Sequence, residues 1–169
     1  VRAEGVPRIA VRCSPYHTNS ALYPVIAHLE HLLQFEPDDS PATRLAKLEA
    51  GLRPSGLPLA EMVPLFAGLL SVPLPAECYA PLTLTPPQQK QQTLDALVTW
   101  LAAAERQPVL VAWEDLHWAD PTTVELLGLV LEQAPTMPML HMLTYRSEFS
   151  PPWSPRSHMT PIVLNRLER

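Results

Sequence analysis

Pro108 opens a continuous apolar run, Val109-Leu110-Val111-Ala112-Trp113, that closes on two carboxylates, Glu114 and Asp115. The run is too short for an ordinary helix, and a strand wetted on one face would alternate apolar with polar residues. An unbroken run between proline and charge therefore predicts a strand buried on both faces, as in a parallel sheet with helices on each side. This segment argues against an all-helical fold and against a one-sided antiparallel meander. It also leaves two acids where a buried strand ends, a costly place for charge unless the groups are solvated, paired or metal-bound.

The flanking sequence supplies the other layers. Arg8 to Cys13 alternates and is β-branched, which predicts a short strand ending in the turn Ser14-Pro15. Asn19 or Ser20 is expected to cap a helix whose apolar positions Leu22, Val25, Ile26, Leu29, Leu32 and Leu33 follow a period of about 3.6 residues. Ser40-Pro41 repeats the start signal, with Gly51 as the expected stop. Ala60 to Leu70 predicts a helix that Pro64 begins or kinks, and Thr85-Pro86 opens a longer one running through Leu94, Leu97, Val98 and Leu101 to about Glu105. Asp120-Pro121 then starts a helix carried by Val124, Leu126, Leu127, Leu129, Val130 and Leu131 to Ala134. Met139 to Tyr145 is expected to be another apolar strand and Ile162 to Leu164 a short further one, with proline-rich coil over Ser150 to Pro155. Strands alternating with helices make the class α/β with a mainly parallel sheet. The 21 prolines serve mostly as helix punctuation.

Composition bounds the function. The 169 residues suffice for one domain, and 47% hydrophobic against 17% charged is a globular balance. A net charge of -5, with the arginines scattered, argues against binding nucleic acid through its phosphates. Cys13 and Cys78 form no Cys-x-x-Cys pattern and read as the reduced thiols of a cytoplasmic protein. The most apolar stretch, Met62 to Ala76, is broken by Pro64, Pro73 and Pro75 and falls short of the roughly 20 apolar residues that span a bilayer. No membrane partner is expected. A phosphate-cradling G-x-x-x-x-G-K-[ST] loop needs glycines, a lysine and a hydroxyl together, but the only lysines, Lys47 and Lys90, lie in Ala46-Lys47-Leu48 and Gln89-Lys90-Gln91. With Val1 at one end and Arg169 soon after a candidate strand at the other, the chain reads as an excerpt of a longer protein.

In an open parallel sheet, ligands sit beyond the carboxyl ends of the strands. Glu114 and Asp115 occupy such a place, where one carboxylate suits a hard divalent cation and its neighbour can orient water toward a γ-phosphate. The plainer alternative is that the pair ends a strand and caps a turn. Gly51-Leu52-Arg53-Pro54-Ser55-Gly56 has phosphate-loop spacing, but Leu57-Pro58 stands where Lys and Ser or Thr belong, so it reads as a helix stop and turn. His28 and His31 share a helix face without a third ligand, and Gln88 to Gln92 is a solvated face.

The longer string Glu114-Asp115-Leu116-His117-Trp118-Ala119-Asp120-Pro121, followed by Thr122-Thr123-Val124-Glu125-Leu126-Leu127, resembles the Walker B segment of the STAND group of AAA-type P-loop ATPases. It looks most like the modules fused to bacterial class III adenylate or guanylate cyclase domains and to LuxR-type or tetratricopeptide-bearing transcriptional regulators. The resemblance extends to Cys13-Ser14-Pro15-Tyr16-His17 with Asn19-Ser20-Ala21-Leu22-Tyr23-Pro24, to Leu84-Thr85-Pro86, and to Leu143-Thr144-Tyr145-Arg146-Ser147-Glu148-Phe149, so it covers nearly the whole chain. It implies a partial three-layer α/β/α P-loop NTPase domain over residues 1–169, with the central P-loop strand missing. It also implies ATP and Mg2+ in the intact protein, hydrolysis as a conformational switch, and a cyclase, DNA-binding or tetratricopeptide output domain as partner, with oligomers compatible.

By that resemblance Glu114 falls on the magnesium-side acid and Asp115 on the acid that polarises water. The family more often has Asp at the first position, and the longer Glu favours contact through a water. Thr144 and Arg146 fall where the family places its γ-phosphate sensor; the alternative for Arg146 is a surface pair with Glu148. His117 and Trp118 are expected to pack the turn beneath the acids, and Asp120 to cap the next helix. The family's P-loop strand lies between those corresponding to Met139–Tyr145 and Ile162–Leu164. The resemblance therefore implies three neighbouring strands here, with Ile162 to Leu164 apart from them.

Overall fold

The computed structural model describes residues 7–104 and 108–164. Three strands form one parallel sheet in the order β1 (Arg8–Arg12), β2 (Val109–Glu114), β3 (Met139–Leu143). Four helices, α1 (Tyr23–Leu32), α2 (Pro41–Leu52), α3 (Leu59–Leu69) and α4 (Pro86–Ala104), lie between β1 and β2, and α5 (Pro121–Gln133) joins β2 to β3. The expected α/β class and the three neighbouring parallel strands are present. The expected end of α4 at Glu105 lies outside the described residues.

The register decides how the sheet is covered. Ile9 pairs with Val111 and Val11 with Trp113, while Val109, Val111 and Trp113 pair with Met139, His141 and Leu143. This face enters the main core, joined by Cys13, Leu116 and the buried positions of the helices. The opposite face carries Arg8, Ala10 and Arg12 on β1, Leu110, Ala112 and Glu114 on β2, and Leu140 and Met142 on β3. None of these is part of that core cluster, although Ala112 is itself fully buried; on the outer strand Leu140 is 69% and Met142 42% exposed. β2 is accordingly buried on its core face, and on the other face Ala112 is buried and Leu110 half-buried; among the described residues the helices' buried positions join the core on one side of the sheet. The strand order explains this, because successive right-handed crossovers in one direction across a sheet place their helices on one side.

Several helix boundaries follow from local chemistry. Ser40 accepts the Thr43 N–H at 3.1 Å, with Pro41 in the first turn, and α2 buries Leu45, Leu48 and Leu52. Asp120 accepts the N–H groups of Thr122 and Thr123 at 2.9 and 3.0 Å and starts α5. Thr85 and Gln88 are bonded across the first turn of α4, the Thr85 N–H and hydroxyl both donating to Gln88 Oε1 at 3.0 and 2.8 Å. α3 is the most enclosed helix, packed against α2 and α4, with Phe66 edge-on to Trp100 at 5.7 Å between ring centres.

Other expectations are corrected. Neither Asn19 nor Ser20 caps α1; Leu22 does so in the left-handed conformation (φ 58°), with its side chain buried and Tyr23 stacked on His17 at 3.5 Å. Gly51 lies inside α2, and the turn that follows ends at Gly56, whose φ of 72° suits a residue without Cβ. Of the two places expected for Pro64, the structure takes the one inside α3 and not its start. Ile162 to Leu164 is exposed chain outside the sheet and not a strand, although its separation from the three strands is as expected.

Candidate functional site at the strand ends

All three strands run the same way, so their carboxyl ends lie together and the loops beyond them share one end of the molecule. Pairing continues past the strands: the Cys13 N–H donates to Glu114 O at 2.9 Å and the Thr144 N–H to Trp113 O at 2.9 Å. Asp115 then turns the chain sharply, with φ 60° and ψ 43°, a left-handed conformation that Asp tolerates better than most residues. Its N–H donates to the Thr144 hydroxyl at 3.1 Å, and the next amide, Leu116 N–H, donates to Thr144 O at 2.9 Å. Thr144 therefore ties the acid turn to the end of β3. Sequence order separates the two residues widely, and the parallel pairing brings them together.

The two acids have different surroundings. Glu114 faces the side of the sheet opposite the main core, accepting from Arg8 Nη2 at 3.2 Å and Arg12 Nε at 3.1 Å. The arginines lie four positions apart on one face of β1, with Ala10 between them, and both reach a single carboxylate on the neighbouring strand. Asp115 caps the short turn Leu116–Trp118 by position, without a side-chain bond to it. Arg146 lies 3.8 Å from Glu148, with its guanidinium carbon 6.0 Å from the centre of the Trp118 ring. Asp115 is thus joined to Thr144 through its backbone amide, the Glu114 side chain turns away to the two arginines, and Arg146 lies beside Trp118.

Beneath the turn, His117 and Trp118 lie together with ring centres 5.0 Å apart, and both His117 ring nitrogens are buried without a hydrogen-bond partner. Burial, with Asp120 and then Asp115 adding to it, pushes the Cys13 thiol up to about 12, so it remains a neutral thiol here. Asp120 is occupied as the cap of α5 and bonds the Thr123 hydroxyl as well. The arginine pair on Glu114 and the nearness of Cys13 to the acids were not singled out in the sequence. The alternation Arg8-x-Ala10-x-Arg12 signals a shared strand face but not the partner strand.

Among the described residues, no group of three or more His, Cys, Asp or Glu side chains is arranged to hold a metal ion. The residues do not by themselves fit a directly bound magnesium: Glu114 is neutralised by two guanidinium groups, and no glycine-rich cradle with lysine accompanies Asp115. Among the described residues, no helix is long and apolar enough to cross a membrane. A hollow lined by Val98, Thr99, Ala102 and Gln133 lies along the second half of α4, which leads toward the amino end of β2 and away from the acids.

No family model matches the chain and no solved structure matches it. A stretch of 67 residues, 40% of this chain, is 34% identical to an uncharacterized protein of Rhizobium meliloti (strain 1021), in which the match spans 6% of the length.

Proposed function

We propose that this chain is part of the nucleotide-binding core of a STAND-type signalling ATPase, with a three-layer P-loop architecture in the intact protein. The observation that carries the reading is the junction of Asp115 and Thr144 at the strand ends, where the backbone amide of the acid bonds the threonine hydroxyl. Asp115 leaves the central strand in a left-handed turn that sets it beside the end of β3. In this reading Asp115 orients a water for attack on a γ-phosphate, Thr144 holds the acid's backbone, and Arg146 meets developing phosphate charge. Magnesium, when bound in the intact protein, would supply charge neutralisation on ATP; Glu114, which the resemblance assigns to it, is paired here with Arg8 and Arg12. The signalling context, an attached cyclase, DNA-binding or tetratricopeptide output domain and a cytoplasmic setting, rests on the sequence resemblance.

The phosphate cradle would have to come from sequence outside these residues. The 169-residue chain is therefore expected to show no ATP turnover and negligible ATP affinity by calorimetry; tight, magnesium-dependent binding would overturn the assignment. In a polypeptide extended on its N-terminal side to include a G-x-x-x-x-G-K-[ST] loop, Asp115→Asn should suppress turnover far more than ATP binding. Equal loss of both would contradict the role given to Asp115.

The double ion pair on Glu114 favours a second reading, a non-catalytic interaction domain that keeps an ATPase-like sheet. The upstream gene sequence separates the two, since a phosphate loop there selects the ATPase and its absence selects the interaction domain.

A further inference from the structure

We infer that Glu114 is a positioning residue, clamped to β1 by Arg8 and Arg12 so that Asp115 is set at the strand ends, and that it does not take up magnesium. The clamp stands without the nucleotide reading; its effect on turnover rests on that reading. Each oxygen of the Glu114 carboxylate accepts from a different guanidinium, Oε1 from Arg8 and Oε2 from Arg12. Arg12 is the register partner of Glu114, whereas Arg8 pairs with Leu110, four residues earlier and so about 13 Å back along the strand. Arg8 therefore reaches along the sheet, past the pair at which both strands carry alanine, Ala10 and Ala112. A metal ion would have to share this one carboxylate with two guanidinium groups, and like charges gathered on it repel.

The clamp bears on Asp115 through the backbone. Glu114 O accepts the Cys13 N–H at 2.9 Å, so the side chain and the main chain of one residue both fasten β2 to β1. The next residue, Asp115, leaves the strand in its left-handed turn and bonds Thr144 at the end of β3. The turn is thereby held from β1 on one flank and from β3 on the other. A single exposed ion pair contributes little. Here, however, loss of the carboxylate also leaves two guanidinium groups close together without a counter-charge.

The test begins with the 169-residue chain. Glu114→Gln should lower the urea midpoint, and adding Arg8→Met with Arg12→Met should restore part of the loss, because the crowded cations go with them. In Glu114→Gln, amide exchange should quicken at least about tenfold at Asp115 and Leu116, and less at Val130 within α5. In a polypeptide extended to include the phosphate loop, Glu114→Gln should lower kcat while KM for ATP holds. The Mg2+ concentration that gives half-maximal ATP binding in calorimetry should stay within about twofold, both in Glu114→Gln and in Arg8→Met with Arg12→Met. A rise of about tenfold in Glu114→Gln, or a fall of that size once the arginines are gone, would make Glu114 a metal ligand and overturn the inference. An unchanged urea midpoint, exchange that quickens equally at Val130, or a triple variant no more stable than Glu114→Gln would overturn it too. An extended polypeptide that binds no ATP would refute the ATPase reading alone, with the urea and exchange results still deciding the clamp.

Discussion

Asp120 is 2% exposed, and its burial is tolerable because two backbone amides and the Thr123 hydroxyl donate to its carboxylate. Asp120→Ala removes the cap and leaves those donors unpaired, so it should cost about 2 kcal/mol, read from urea denaturation; Asp120→Asn should recover part of the loss. Histidine supplies a second test. The buried Trp113 indole donates to His141 Nδ1 at 3.3 Å, which requires a neutral ring with its proton on Nε2, and burial holds His141 below its ordinary 6.5. His28 is lowered as well, by burial and then by His31. Above about pH 6.5 both folded and unfolded chains carry these rings neutral. As pH falls through that value the unfolded chain takes up protons that the folded chain resists, so stability is lost. The urea midpoint should be lower at pH 5.5 than at pH 7.5, and replacing both histidines by Gln should reduce the difference. The Asp120 cap was legible because Asp-Pro is a local signal. The Trp113–His141 bond was not, because it joins residues on separate strands.

Two helical glycines separate propensity from packing at the scale of the element. A Cβ on Gly128 in α5 would meet nothing within 4 Å, whereas one on Gly51 in α2 would run into Leu33 Cδ2. Gly128→Ala should therefore stabilise by roughly 0.5–1 kcal/mol through helix propensity and reduced freedom of the unfolded chain. Gly51→Ala gains the same term, but Leu33 is buried and has little room to turn away, so overpacking of about 1–3 kcal/mol should win and lower the thermal midpoint. A destabilised Gly128→Ala protein, or a stabilised Gly51→Ala one, would refute this account. The same competition explains the helix ends. Ser40 and Asp120 cap where the sequence places them because their bonds are local. At α1 the burial of Leu22 and the stacking of Tyr23 on His17 outweigh the nearby polar residues and move the start.

For the molecule as a whole, the expected inactivity of the isolated chain and the expected selective effect of Asp115→Asn in an extended polypeptide test whether the strand-end acids serve a nucleotide. The α/β class, the parallel sheet and most elements were readable from the chain, because apolar run length, periodicity and local capping act over a few residues. Ile162 to Leu164 misled for the same reason: β-branched residues carry strand propensity, but a strand also needs a partner, and these residues lie outside the sheet. The sequence by itself determined that Glu114 and Asp115 follow a buried strand and that Thr144 follows another. Only the tertiary structure decided that Asp115 meets Thr144 and that Arg8 and Arg12 hold Glu114, because both depend on strand order and register, which couple residues far apart in the chain.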